Sequence, residues 1–454
     1  MSLASLDGGN LAQVGVRQTG VFRGFSDDRW VLAAQCLMLL NLVAMTRAFA
    51  LVSLIEFLLW CFFLCYSPLR RAFVGSFSDI RIKLVFVFWG WVAIATLWSP
   101  ADYGLRFEEV WSWRKLLLFP MAWVLFKEAQ LKRVAILTLV VTASVYMFFS
   151  WAGYLGYVSL DRAPSQLLEN HATQGIVFAS MSLLMLIILK TENLSVWIKV
   201  LFCLLIAGMV ANIIYVLTGR TAYMALLLLA PYSVWLVASR LKWLSAALAL
   251  GLVALALYNS DTSKSQIAKG LNEFDATITG EAEVYTSMGI RWVYWENTLK
   301  MISNNPILGT GSGGFAKEYA EIVAEEDGWR SEVTDDPHQQ YLLIAAEQGL
   351  LGLAIFLAIL VAMMLSRGDD TNRVCAIGIL MMTTLNGMFN GHFNAFVEGR
   401  LFWIFSGILL CSTVPMLSFR NIAVLSIVPR VSAGRFFKQY LRARRAGQAA
   451  RASK

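Results

Sequence analysis

Apolar residues in this chain come in blocks of about twenty, separated by short polar stretches, and a block of that length crosses about 30 Å of hydrocarbon as an α-helix. Twelve such segments are predicted, near 30–48, 50–66, 83–98, 113–126, 133–156, 172–190, 195–218, 220–239, 243–258, 338–366, 373–391 and 401–419. The pattern breaks once: residues 259–337 form a stretch of 79 residues with 14 acids and 6 basic residues. That is too long for a simple connector, and it carries helical patterns of its own. Phe315, Tyr319, Ile322 and Val323 make an apolar stripe on a short helix. The run RWVYWENTLKM from Arg291 is helix-compatible, and its Trp292, Tyr294 and Trp295 suit a membrane interface. The expected fold class is all-α: a polytopic membrane helical bundle of about 12 transmembrane helices with one large, partly helical outer loop. Its expected parts are an N-terminal segment 1–29, spans 1–9 over 30–258, a loop or cap at 259–337, spans 10–12 over 338–419, and a basic tail at 420–454.

Composition supports the same reading. Apolar residues make up 58% and charged residues 15%, whereas a soluble surface needs about 25% charged residues. This excludes a string of soluble domains, an intrinsically disordered chain, a disulfide-rich secreted module and a nucleic-acid-binding domain. The six cysteines all fall inside apolar segments and read as small core residues. The net charge of +8 is a matter of sidedness: with the N-terminus inside, the cytoplasmic segments hold 25 of the 38 Lys and Arg, and most acids lie outside. The tail 420–454 has nine basic residues and no acids, and is expected to lie against anionic headgroups. Both termini are then cytoplasmic, and the first apolar block acts as an uncleaved signal anchor.

Few residues carry chemistry. The chain has three histidines, His171, His338 and His392, all at outer ends of predicted spans. Imidazole titrates near neutrality, which suits an outward-facing acid–base site. Three histidines on one side also raise the question of zinc, but they come from separate loops without a close pair such as HxxxH, and no metal is expected. His338 follows Asp335, Asp336 and Pro337 and opens a long apolar helix. It is either a polar residue that merely ends the span or a general base whose other ring nitrogen is held by Asp335 or Asp336. Arg220 sits between two apolar runs at the outer mouth, where a cation is costly unless hydrated or paired. It either snorkels to the headgroups or clamps phosphate with its planar fork. Arg291 is a natural second prong, or an ordinary surface arginine. The stretch NNPILGTGSGGF satisfies GxGxxG through Gly309, Gly311 and Gly314. Without a preceding strand this is no nucleotide fingerprint; a tight turn reversing the chain toward the bundle is expected.

Taken in order, TGR at 218–220, RWVYWENTLKMISNNPILGTGSGGF at 291–315 and DPHQQYLLIAAEQGLLGL at 336–353 resemble the O-antigen ligase/polymerase superfamily of bacterial membrane glycosyltransferases, and most closely its ligase branch. The resemblance covers the second half of the chain; the first half matches in hydropathy. Many members have Asn directly after the histidine, where this chain has Gln339. The resemblance implies a multi-pass protein of the bacterial inner membrane with a periplasmic active site. The implied reaction moves an O-antigen glycan from undecaprenyl pyrophosphate to the lipid A–core oligosaccharide, by inverting transfer without metal or cofactor. It further implies that Arg220 and Arg291 bind the pyrophosphate and that His338 takes the acceptor proton. Arg162, His171 and Arg400, placed on outer loops, are secondary candidates for substrate contact. Membrane lipids are expected partners and nucleic acid is not. The carrier's isoprenoid implies a lateral opening near the 220–239 and 338–366 spans.

Within the superfamily, an O-antigen polymerase or a protein O-oligosaccharyltransferase is the alternative. A polar-lipid transporter or flippase is the rival from another class, but transporters commonly carry inverted repeats and ionisable groups at mid-membrane. No repeat is found, and the obvious mid-span acid is Glu56, read as a packing or lipid-facing residue. A non-catalytic scaffold remains a third option, under which none of these polar residues matters individually.

Overall fold

The computed structural model describes residues 26–411, apart from 27, 47, 159–166, 169, 239, 280–285 and 368–370, together with the pair 414–415. Its described residues are almost entirely helical. Each of the twelve apolar segments contains a helix, the fourth a 3-10 turn, Trp113–Leu117, that runs into Leu118–Leu125. Six helices are long and apolar enough to cross a membrane: Ala129–Tyr154, His171–Thr191, Val196–Tyr215, Arg220–Val237, Lys242–Asn259 and Gln340–Met364. A seventh span arises if Phe49–Cys65 is joined to Ser67–Ser76 across their 92° bend. The others are shorter, including Arg29–Ala44, Ile80–Ala95, Thr371–Asn386 and Val397–Leu410.

Polar side chains punctuate the apolar runs. Asp28, Asp79, Asn170 and Gln339 precede helices and accept hydrogen bonds from the freed backbone N–H groups of the first turn. His171–Thr191 is the most enclosed of the six long helices and packs against Val196–Tyr215 and Arg220–Val237. Lys242–Asn259 presents nearly all of its surface outward, as a lipid-facing helix must. Of the cysteines, Cys36, Cys65 and Cys203 are exposed on helix surfaces rather than in the core, while Cys375 is buried. A two-residue antiparallel pair joins Ser366–Arg367 to Val414–Pro415.

The stretch 259–337 contributes three helices, Asp261–Thr279, Ser287–Asn304 and Phe315–Ile322, to one end of the bundle. The expected stripe forms: Phe315, Tyr319 and Val323 are buried together with Met301, Leu343 and Ala346, which seats the cap on the Gln340–Met364 helix.

That helix is not continuous. Gly349 breaks it with φ 68° and ψ 176°, a combination open essentially to glycine alone. The PILGTGSGG turn enters the break. Leu350 donates its N–H to the Pro306 carbonyl at 2.8 Å, while Thr310 and Gly311 donate to the carbonyls of Ala346 and Glu347 at 2.8 and 2.9 Å. Gly309, Gly311 and Gly313 all have positive φ, and a side chain on any of them would strike backbone. The turn therefore reverses the chain as expected, and it also supplies the hydrogen bonds that the broken helix lost. Below it, Ser312 donates from its hydroxyl to the Val92 carbonyl at 2.6 Å and accepts from Gln348 at 2.9 Å, tying the wedge to the Ile80–Ala95 helix.

Candidate functional site

Three long helices, His171–Thr191, Arg220–Val237 and Gln340–Met364, begin at the cap end of the bundle, where cap and bundle bring the polar residues together. Their first turns direct the positive ends of their dipoles to that end.

His338 lies two residues before its helix rather than inside it: Gln339 is the N-cap, and its side chain accepts from the Leu342 N–H at 2.6 Å. Gln339 thus performs the capping that a shorter amide gives elsewhere. The backbone of His338 is left-handed, with φ 54°. An Asx-type turn holds it there: the His338 N–H donates to Asp336 Oδ1 at 2.7 Å. The imidazole is half exposed, its Nδ1 standing 3.8 Å from Asp336 Oδ2, and its ring lies 6.2 Å from that of Tyr294. Asp336, rather than Asp335, is therefore the carboxylate beside the histidine. Burial raises the Asp336 carboxyl above the usual aspartate range, against the lowering pull of His338 and Arg291. Trp295, on the cap helix, donates from its indole to the Pro337 carbonyl at 3.0 Å and so ties the cap to the His338 turn.

Arg220 is the first residue of its helix. Both terminal amino groups of its guanidinium donate to Glu273 Oε2, each at 3.0 Å. Glu273 belongs to the Asp261–Thr279 helix, where Gly270 lets the backbone pass against the guanidinium; a Cβ there would stand 2.6 Å from Arg220 Nη1. Arg291 sits on the next cap helix and reaches Asn390 Oδ1 at 3.5 Å. Burial, together with the neighbouring Arg220, lowers Arg291 below the usual arginine range, while Asp336 and Glu273 act in the opposite sense. Arg220, Arg291, Glu273, Asp336 and His338 thus form one electrostatic group, two guanidinium cations facing two carboxylates and an imidazole.

The loop 387–396 closes the site from below. Its Phe393 N–H donates to Gln340 Oε1 at 3.0 Å, and the Gln340 N–H donates to the Gly387 carbonyl at 2.9 Å. Phe393 in turn sits on a cluster of Phe356, Phe402 and Trp403. His392 is 2% exposed with Nδ1 3.5 Å from Glu398 Oε1, and Glu398 also accepts from the Thr173 hydroxyl. This histidine is a buried neighbour of the site rather than a surface group. His171 begins its helix beneath Gly219, one residue from Arg220. Among the described residues no three His, Cys, Asp or Glu side chains gather as a metal set.

One expectation changes and another narrows. Arg400 is not on an outer loop: it lies inside the Val397–Leu410 helix with its side chain 0% exposed. Its guanidinium donates to both oxygens of Glu56 at 2.5 and 3.2 Å and to the Phe396 carbonyl at 2.8 Å. Glu56 takes the packing side of its expectation rather than the lipid-facing one: it is the buried partner of Arg400 and of Arg114, which stands 3.3 Å away. A cation inside a bundle is stable only when paired, and this pair ties the Phe49–Cys65 helix to the Val397–Leu410 helix. Arg162 lies outside the described residues. Glu273 and Asn390 escape a sequence reading; the available signal was an acid four residues after Lys269 on a polar, helix-compatible stretch.

A family model described as O-antigen ligase matches residues 205–357, a range that holds Arg220, Glu273, Arg291, the glycine wedge, His338 and the helix break. An uncharacterized protein of Haemophilus influenzae is 26% identical over 371 residues, covering 76% of this chain and 88% of that protein.

Proposed function

We propose that this membrane protein, whose residues 205–357 match a family model described as O-antigen ligase, is an O-antigen ligase. In this reading it moves the glycan from undecaprenyl pyrophosphate to the lipid A–core oligosaccharide, at the periplasmic face of the inner membrane. The observation that carries the reading is the convergence of Arg220, Arg291 and the Asp336–His338 turn from three separate segments. Two forked cations side by side suit two linked phosphates, and three helix starts add to the positive potential at the same place.

The proposed chemistry is one displacement. The acceptor hydroxyl oxygen attacks the anomeric carbon of the donor, the bond from that carbon to the diphosphate oxygen breaks, and the electron pair leaves with undecaprenyl pyrophosphate. His338 takes the hydroxyl proton, and the charge that builds on the leaving diphosphate is stabilised by Arg220 and Arg291. Asp336 orients the His338 turn and favours the imidazolium that results. One attack from the face opposite the leaving group inverts the anomeric carbon. His171, which begins its helix beside Gly219, is retained as a secondary contact, as is Arg162; Arg400, held by Glu56, is assigned to the frame.

Lipopolysaccharide from a deletion strain tests the reading. Free core together with accumulated, fully polymerised carrier-linked glycan is expected. Core bearing a single repeat unit would instead identify a polymerase, and normal lipopolysaccharide would refute both. Complementation by His338→Ala at normal protein level should fail to restore ligation.

A further inference from the structure

Arg220 is already occupied. Its two terminal amino groups converge on one oxygen of Glu273, a residue 5% exposed, although the arginine side chain itself is 33% exposed. An arginine that open to its surroundings does not need a buried partner for its own solvation. The partner is nonetheless built in, since Gly270 lets the Asp261–Thr279 helix rest directly on the guanidinium. The carboxylate takes the same donor fork that a phosphoryl group would take. A second place for it exists on its own helix, where Lys269 Nζ stands 4.0 Å from the other carboxylate oxygen.

We propose that Glu273 is a specificity-determining residue of the donor site, an internal anion that denies Arg220 to singly charged phosphodiester headgroups and yields it to a diphosphate. The proposal rests on the reading of Arg220 and Arg291 as the diphosphate clamp. Membrane phospholipids surround such a site at concentrations far above that of any carrier. A phosphodiester headgroup brings one negative charge, so exchanging it for a seated carboxylate with two charge-assisted hydrogen bonds gains nothing. A diphosphate brings more charge and a second phosphoryl group, which reaches Arg291 while the first holds Arg220. Only that ligand gains by displacing Glu273, which then turns to Lys269.

The test measures binding of farnesyl diphosphate to the full-length protein in nanodiscs of digalactosyldiacylglycerol, whose headgroup has no phosphate, and of phosphatidylglycerol. Comparing each variant with wild type in the same lipid cancels the general repulsion from an anionic bilayer. In the phosphate-free galactolipid, Glu273→Gln should bind about tenfold more tightly than wild type, the effect of one charge-assisted pair removed from competition. In phosphatidylglycerol that advantage should vanish, because headgroups now fill Arg220. Glu273→Ala should follow Glu273→Gln, which separates charge from packing. Equal ratios in both lipids, or weaker binding than wild type in both, would overturn the proposal and leave Glu273 a structural support. Arg220→Ala binding as well as wild type in both lipids would overturn the clamp itself.

Discussion

Gly349→Ala perturbs the joint on which the His338 turn is mounted. A Cβ at this position would stand 2.0 Å from the Ile307 carbonyl oxygen and 2.4 Å from its carbon, both backbone atoms that no rotamer change can move aside. The native φ of 68° and ψ of 176° lie in a region reserved for glycine, which adds about 1–3 kcal/mol of conformational strain. Forcing a methyl group into closed packing adds about 1–3 kcal/mol more. Together the substitution should cost about 2–6 kcal/mol, or relax by pushing the Ile307–Leu308 backbone out of the break and shifting the His338 segment with it. Gly251→Ala is the control: it lies in the Lys242–Asn259 helix with nothing within 4 Å of a new Cβ, and should be neutral or gain up to about 1 kcal/mol. Thermal unfolding of the purified protein, followed by tryptophan fluorescence, should show the first variant melting roughly 5 °C or more below wild type and the control no lower than wild type. If the two variants melt together, the break is not enforced by the backbone of Gly349.

Other outcomes follow from the same geometry. Arg400→Ala should destabilise by about 3–5 kcal/mol, since it strands the buried Glu56 with Arg114 as its remaining partner; adding Glu56→Leu should recover part of the loss, and a double variant as unstable as the sum of the singles would show the two side chains to be independent. His338→Gly should be more stable than His338→Ala by about 1 kcal/mol because the φ of 54° suits glycine, with neither supporting transfer; an equal melting temperature would mean that the turn does not impose that conformation. Asp336 has a folded-state pKa raised above 3.8 by burial, so the folded protein holds that proton more tightly than the unfolded chain. Its contribution therefore favours folding at acid pH and declines as the pH rises from the unfolded value through the raised one. Asp336→Asn should remove that decline from a stability–pH profile, and an unchanged profile would refute the assignment.

Much of the fold was legible because a span announces itself through local composition. Each predicted apolar segment contains a helix, and the stripe through Phe315, Tyr319, Ile322 and Val323 identified a cap helix from four residues. Segment lengths were less legible: Val397–Leu410 and Thr371–Asn386 stop short of the apolar runs that suggested them. At the site, Arg220, Arg291 and His338 stood out because a charge or imidazole beside an apolar run requires a reason. Their partners did not, since Glu273 lies 53 residues from Arg220 and Asn390 lies 99 from Arg291. Arg400 shows the same gap. Its cost at that depth was apparent in principle, but its partner Glu56 is 344 residues away, and only the packed bundle reveals that the two are paired. The glycine turn was recognisable as a turn; that its target was an interrupted helix depended on a tertiary contact with Gly349.

The wedge in that helix is made from main-chain amides and carbonyls, with no side chain contributing to the three central bonds. Its specification therefore resides in the absence of atoms. The requirement falls on the few α-carbons that must stay bare, because each lies against backbone. A mounting of this kind holds the aim of the segment at its tip while asking nothing of the side chains there.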